Sequence, residues 1–274
     1  MSKPNISDTA FLVNYHRAKH ERISLDVYSK YWVTKKSISL SKKLSKEVYK
    51  NDDIEICLRS RFFLENLRCF LARNPQAVVV NVEAGFTSYP YLLEPARFIE
   101  IDLPHITTYK ANKIKMLVKK GKLPKRNVEF ISTDLQNKKD LKILEQKLSG
   151  VILKEKSFFI LEGITYYVEK KYLQQLLHII NNLQSSGCEL AVEFWSPDIQ
   201  GLPVFKRLVQ YAKRHLNYEP RQWHLYDIGF FAGATGYEVV EFTSTGRLEK
   251  FMGRKCLLCD EHNNLLTKMA ILRK

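Results

Sequence analysis

Chemistry in this chain concentrates where two apolar runs stop. Val78-Val-Val-Asn-Val82 is followed at once by Glu83, Ala84 and Gly85, and Phe158-Phe-Ile-Leu161 by Glu162 and Gly163. A continuous apolar run of this length reads as a strand covered on both faces, the form that parallel sheets take. Glycine just past a strand end lets the backbone turn sharply and come close to a ligand. In open α/β sheets the ligand sits outside those carboxyl ends, where the strand order reverses. The two segments therefore predict a site for a nucleotide-like cofactor.

Other reactive side chains are less organised. Cys256 and Cys259 with His262 have a metal-like spacing, but structural zinc needs four ligands and no second Cys or His pair sits nearby. No metal site is predicted, and the two thiols are expected to be buried in a β-rich terminal segment. His105, His178, His215 and His224 are scattered, with no nucleophile elbow or metal-binding helix motif around them. Glu193, in Val192-Glu-Phe-Trp-Ser-Pro-Asp198, ends an apolar run and either faces a substrate pocket or caps a helix.

The elements that must carry these residues follow from periodicity. The first 70 or so residues read as helical, closing with 54–72, and Asn74-Pro75 stops that helix. Strand and helix patterns then alternate: strands at 77–82, 97–102, 128–131, 157–161 and 189–194, and helices at 106–120, 138–148 and 170–184. Such alternation predicts βαβ units and a parallel sheet. A helical stretch at 200–216 interrupts the rhythm as a lid would. Strands at 237–243 and 267–272 are expected to close the sheet edge as an antiparallel pair. No repeat or Pro/Gly-rich linker divides the chain, so residues 1–274 are expected to form a single domain. Its parts would be a helical cap over 1–74 and an α/β core over 75–274, with an insertion at about 197–234.

The 274 residues carry 44 Lys+Arg against 29 Asp+Glu, a formal charge of +15. A surface of this sign attracts acidic proteins, nucleic acid or anionic membranes. Much of the excess is lysine, including Lys35, Lys36, Lys42, Lys43, Lys46 and a run from Lys110 to Arg126. In that run Ile106, Ile114, Leu117 and Val118 share one helical face, leaving the lysines to the solvent face. No arginine-aromatic module or helix-turn-helix signature accompanies the charge. No stretch reaches about 18 consecutive apolar residues, so no membrane span is predicted. The first residues lack the apolar core of a secretory signal. Five cysteines, an odd number, suit reduced thiols, and the expected location is the cytoplasm.

Six short motifs, in order, resemble the leucine carboxyl methyltransferase family and its bacterial O-methyltransferase relatives. Ser7-Asp-Thr-Ala10 with Arg17-Ala18 and Asp26 resembles the family's first helix. Arg59-Ser-Arg-Phe-Phe63 is similar to its Arg-x-Arg-Phe element, and Val80-Asn-Val-Glu-Ala-Gly-Phe-Thr87 to its Asn-Leu-Gly-Ala-Gly-Phe-Asp loop. Glu100-Ile-Asp-Leu-Pro104 resembles its Glu-Val-Asp-x-Pro strand end. Asp134-Leu135 and Glu162-Gly163 with Tyr167 resemble its later motifs, and Glu193 falls in a segment similar to its Tyr-Glu-x-x-x-Pro element.

The resemblance implies an α/β fold of the class I methyltransferase type, doubly wound around a mostly parallel seven-stranded sheet, with S-adenosylmethionine as cofactor. It implies that Arg59 pairs with the methionine carboxylate and that Gly85 lets the backbone pass close. Asp102 would bind the ribose hydroxyls, Asp134 the adenine amino group with Leu135 against the ring, and Glu162 the ammonium. Tyr167 and Glu193 are candidates for the substrate pocket. Two positions depart from the pattern: Glu83 stands where the family's first loop glycine stands, and Thr87 where it carries aspartate. The expected activity is methyl transfer to a carboxylate of an acidic protein or a small molecule. The alternatives are a catalytically degenerate protein of the same fold that binds an acidic partner, and methylation of RNA.

Overall fold

The computed structural model describes residues 6–152, 155–216, 223–253, 256–260 and 263–274. Five parallel strands, β1 (Val78–Val82), β2 (Arg97–Asp102), β3 (Val128–Ser132), β4 (Ser157–Leu161) and β5 (Glu189–Phe194), form most of one sheet. Two more, β6 (Glu238–Ser244) and β7 (Lys268–Arg273), complete the order β3-β2-β1-β4-β5-β7-β6. β7 runs antiparallel to both its neighbours. The terminal pair is thus not wholly at the edge: β7 lies inside the sheet and β6 alone forms the margin. The strand order reverses between β1 and β4, the two strands whose carboxyl ends carry the Glu-Gly pairs.

The apolar runs behave as doubly covered strands because successive side chains point to opposite faces. Val78, Val80 and Val82 pack with Leu144 and Leu148 of α7 (Lys138–Ile152) and with Leu173, Leu177 and Ile180 of α8 (Lys170–Leu183). Val79, Phe98, Phe158 and Ile160 face the other way, onto Phe63, Leu67 and Phe70 of α4 (Asp52–Arg73). Of the remaining amino-terminal helices, α1 (Ile6–Lys19) and α2 (Glu21–Ser24) pack with α4, and α3 (Lys35–Glu47) packs on α1. At the start of α3, Thr34 and Ser37 exchange side-chain-to-backbone hydrogen bonds of 3.0 Å, a capping box. A one-turn helix, α5 (Tyr89–Leu92), follows β1, and α6 (Pro104–Lys119) follows β2.

The interruption at 200–216 is α9 (Pro203–Tyr211) followed by a π-helical turn over Ala212–Leu216; α10 (Ile228–Thr235) then returns to the sheet face. Between β6 and β7 lies α11 (Thr245–Phe251), a helix the sequence pattern does not predict. Cys256 and Cys259 differ from expectation as well. They are exposed and joined to each other in a loop, with Cα atoms 5.3 Å apart, rather than buried as separate thiols. His262 lies outside the described residues.

Helix α6 corrects the charge pattern in one place. Ile106, Ile114 and Leu117 are buried as expected, but Lys110 is buried with them, its Nζ 2.7 Å from Glu100 Oε2 on β2. Burial pushes the Glu100 carboxyl up and the Lys110 amine down, so each needs the other to remain charged. Removing one member of a buried pair strands the other, at a cost of about 3–5 kcal/mol. Lys110→Ala should therefore lower the unfolding free energy by about that amount in denaturant titrations. The double variant Lys110→Met with Glu100→Gln should recover most of the loss, and an undiminished parent stability in Lys110→Ala would refute the account.

Candidate active site

Strand register builds the site. Val82 of β1 pairs with Ile101 of β2 and Leu161 of β4, and Leu161 pairs with Val192 of β5. The residues one step further, Asp102, Glu83, Glu162 and Glu193, therefore stand side by side along the carboxyl edge of four adjacent strands. A cavity of about 760 Å³ opens beyond that edge, walled by residues of α1, α3, α4 and α9. All nine sequence-predicted positions line it: Arg59, Gly85, Asp102, Asp134, Leu135 and Glu162, together with Tyr167, Glu193 and the anomalous Glu83.

Four acids in a row need compensation, and one comes from α4. Arg59 donates from Nε to Glu162 Oε1 and from Nη1 to Glu193 Oε1, both at 3.1 Å. Its Nε and Nη1 are thus engaged by glutamates, and Nη2 and Nη1 lie 3.6 and 3.8 Å from where a Cβ on Gly163 would stand. Gly163 has φ +75°, so a side chain there would be strained as well as crowded against the guanidinium. Burial opposes the Arg59 charge, but Glu193 and Glu162 outweigh it and hold the guanidinium firmly protonated.

The two glutamates are not equivalent. Burial would raise Glu162, yet Arg59, Arg17 and hydrogen bonds from Tyr89 Oη (2.6 Å) and Ser60 Oγ (3.0 Å) keep it below the usual range. Glu193, also fully buried, is pushed up to about 7 by desolvation against the pull of Arg59, with Glu162 adding to the rise. Gly163 N donates to its Oε2 at 2.5 Å. Neither Glu193 nor Glu162 caps a helix. Trp195, two residues past Glu193, stacks on Tyr166 with ring centroids 4.0 Å apart, and Tyr167 tilts against the same ring.

On the other side of the switch point, Asp102 accepts from Gly85 N (2.7 Å, Oδ2) and Leu103 N (2.8 Å, Oδ1), fixing its carboxylate toward the loop after β1. Gly85 has φ +47°, and Glu83 has φ +51°, a left-handed conformation that a side chain makes costly. Burial, followed by repulsion from Asp102, lifts the Glu83 carboxyl well above the ordinary range, which favours a proton shared between the two carboxyls. One proton thus stands in for the missing counter-cation. Thr87, at the other anomalous position, stitches the loop together: its hydroxyl accepts from Asn81 Nδ2 (2.8 Å) and donates to Ala84 O (3.0 Å). Asp134 sits exposed on the cavity rim, accepting from Gln136 N at 2.9 Å, with Leu135 buried beside it.

Several lining residues had no chemical role in the sequence reading. Arg17 is buried and 3.6 Å from Asp26 Oδ2, and its Nε has no hydrogen-bond partner. Its place in the amino-terminal motif was the available signal. His16, Tyr49, Asp52 and Glu55 also reach the cavity; in the sequence they are indistinguishable from ordinary helix residues.

A cavity of this volume is of the size that ligands occupy. Its donor set, carboxylates at adjacent strand ends and a buried Arg17 Nε lacking a partner, suits a molecule carrying hydroxyl, amino and ammonium groups and one carboxylate. The family model for leucine carboxyl methyltransferases matches residues 10–181. The chain therefore belongs to that family and is an S-adenosylmethionine-dependent methyltransferase. No curated protein matches the sequence. Among solved structures, a candidate methyltransferase from Thermobifida fusca YX is similar at 15% identity and TM-score 0.64, over 100% of this chain and 96% of that one. A DUF574 family protein from Streptomyces avermitilis MA-4680 is similar at 11% identity and TM-score 0.67, over 99% and 98%. An S-adenosylmethionine-dependent methyltransferase from Mesorhizobium loti, at 13% identity and TM-score 0.52, covers 79% of this chain and spans 98% of its own. At such identities these likenesses establish the shared fold.

Glu83 supplies two tests. Glu83→Gly relieves the left-handed strain, about 1 kcal/mol, and frees Asp102 from the second carboxyl. It should raise the melting temperature by a few degrees and tighten binding of S-adenosylhomocysteine; calorimetry showing weaker binding would instead make Glu83 a ligand-holding group. A raised folded pKa means the contribution is present at low pH and lost as pH climbs from the ordinary carboxyl range through the folded value. As pH rises above the ordinary carboxyl range the parent should therefore lose melting temperature relative to Glu83→Gln.

Proposed function

We propose that the protein methylates an oxygen of its acceptor, a carboxylate on an acidic protein or a small molecule, within this cavity. The observation that carries the reading is the convergence on one cavity of residues from the first helix, α4, and the ends of β1, β2, β4 and β5. When bound, S-adenosylmethionine supplies a methyl carbon made electrophilic by its sulfonium sulfur. Arg17 and the Nη2 edge of Arg59 would hold its carboxylate, and Glu162 with Glu193 its ammonium. Asp102 would accept from the ribose hydroxyls beside Gly85, and Asp134 from the adenine amino group with Leu135 against the ring.

The chain's own groups then have two tasks. The first is electrostatic: Arg59 between two glutamates leaves the strand edge with an excess of negative charge, which favours a cationic ligand centre. Glu193, poised near 7, ionises more readily when a positive group approaches. The second is exclusion of water by Tyr166, Tyr167, Trp195 and Leu208, which line the cavity. A carboxylate acceptor has no proton to lose at neutral pH, so alignment rather than a strong base is what the site must provide. His16 accords with this: burial pushes it down to about 4, and its Nε2 is tied to Ser41 Oγ at 2.9 Å. The net positive surface steers anionic acceptors toward the protein. One observation favours the degenerate alternative, namely Glu83 occupying the loop and bonding to Asp102.

Binding decides between the two. At about 100 times its dissociation constant S-adenosylhomocysteine should stabilise the protein by about 2.7 kcal/mol, a melting shift of about 5–10 °C. Asp102→Asn should weaken that binding by about tenfold or more. Absence of both heat and shift at millimolar ligand would favour the degenerate protein. With labelled cofactor and a lysate, label should enter esters that release methanol in mild alkali; alkali-stable label on nitrogen or RNA would rule out the carboxylate.

A further inference from the structure

We propose that the corner of the cavity formed by Asp52 and Glu55 is an acceptor subsite for a protonated amine carried on an apolar body. The inference rests on reading the cavity as the methyl-transfer site, and it names the class of acceptor.

The corner lies on the amino-terminal half of α4, away from the row of strand-end acids. Asp52, Glu55, Ile56 and Arg59 follow one another at helical spacing and all line the cavity. Glu55 is 2% exposed. Its Oε1 accepts from Thr267 N (2.7 Å) and Thr245 Oγ1 (2.9 Å), which anchors the side chain, while its Oε2 has no hydrogen-bond partner. The one proton of the Tyr49 hydroxyl goes to Asp52 Oδ1 at 2.7 Å and is not available to Glu55. Tyr211 Oη, buried on α9, is likewise without a partner. A buried carboxylate oxygen lacking a donor is expensive to leave so, and a cationic donor entering the cavity would satisfy it.

No resident cation does so. Among the described residues Glu55 takes part in no ion pair, and the neighbouring positive groups are committed elsewhere. Lys19 and His20 hold Asp53 at 2.6 and 2.8 Å, and Arg59 holds Glu162 and Glu193. His16 Nδ1 stands 3.2 Å from Asp52 Oδ2, but burial keeps that ring neutral. Desolvation accordingly lifts Asp52 to about 6, despite the Tyr49 hydrogen bond, with Asp53 adding to the rise. Glu55 is raised too, first by burial and further by Asp52.

The surroundings choose the kind of cation. Leu40, Leu44, Ile56, Leu208 and Leu265 also line the cavity, so a hydrated metal ion would meet largely apolar walls. No three of the described His, Cys, Asp and Glu side chains are grouped to hold a metal. An alkyl or aryl ammonium presents charge to the carboxyls and carbon to the walls. An ammonium so held has no lone pair, so it anchors the acceptor and leaves a different atom, at the strand-end side, to receive the methyl group.

The test compares two isosteric probes, 4-phenylbutylamine and 4-phenylbutanol, titrated into the full-length protein with and without S-adenosylhomocysteine. The amine should bind about tenfold more tightly than the alcohol. Glu55→Gln keeps an acceptor for Thr267 and Thr245; it should bring amine and alcohol to within about twofold while leaving the alcohol and S-adenosylhomocysteine unchanged. Asp52→Asn should narrow the same gap and serves if Glu55→Gln fails to fold. Equal binding of amine and alcohol by the parent, or an amine preference that survives both variants, would overturn the proposal. Failure of S-adenosylhomocysteine to bind the parent would sink the methyl-transfer reading instead, and the two outcomes are read from separate titrations.

Discussion

The register of four parallel strands is the constraint from which the site follows. Because Val82, Ile101, Leu161 and Val192 are level across the sheet, the next residue of each strand arrives at the same height, and each of those residues is acidic. Side-by-side strands are only about 5 Å apart, so four ionised carboxylates there would repel one another strongly in a water-poor edge. The protein answers with a different device on each side of the switch point. Arg59 is inserted between Glu162 and Glu193, and a retained proton joins Glu83 to Asp102. Both devices leave the edge short of positive charge, which is the condition a sulfonium- and ammonium-bearing cofactor can meet.

Helix α4 ties that edge to the rest of the molecule. Its Phe63, Leu67 and Phe70 pack on one face of the sheet, its Arg59 reaches the strand ends, and its first turns supply the carboxyls of the inner corner. One element thus fixes the sheet's cover, the compensating charge and the opposite cavity wall. Away from the site, Glu100 and Lys110 use the same economy of buried opposite charges to dock α6 on β2.

Much of this was legible before any coordinates. The strands at 97–102, 157–161 and 189–194 were read with their observed limits, because their apolar runs are bounded by charge, glycine or polar residues. The motif residues were expected to share a pocket, and they line one cavity. Other features could not be read because they depend on partners distant in sequence. That Arg59 would spend its fork on glutamates 103 and 134 positions away is set by strand register, not by local pattern. Lys110 looked like one more lysine of a solvated face until β2 brought Glu100 against it. Asp52 and Glu55 resembled the acids common in a helix's first turn. Helix α11 was missed because seven residues give too short a period to stand out from a polar loop.

Glu55 and Arg59 lie four positions apart on one unbroken helix. The rise over those four residues, about 6 Å, is therefore a fixed ruler between the inner corner and Arg59. No loop adjustment can lengthen it, since both residues belong to the same unbroken helix. With the proposed inner corner holding one end of the acceptor, chain length would become a selected quantity: a molecule one or two bonds too short would reach one end of the ruler only. Relatives that kept the strand-end row but shifted the acid by a turn would be tuned to a different length with the same chemistry.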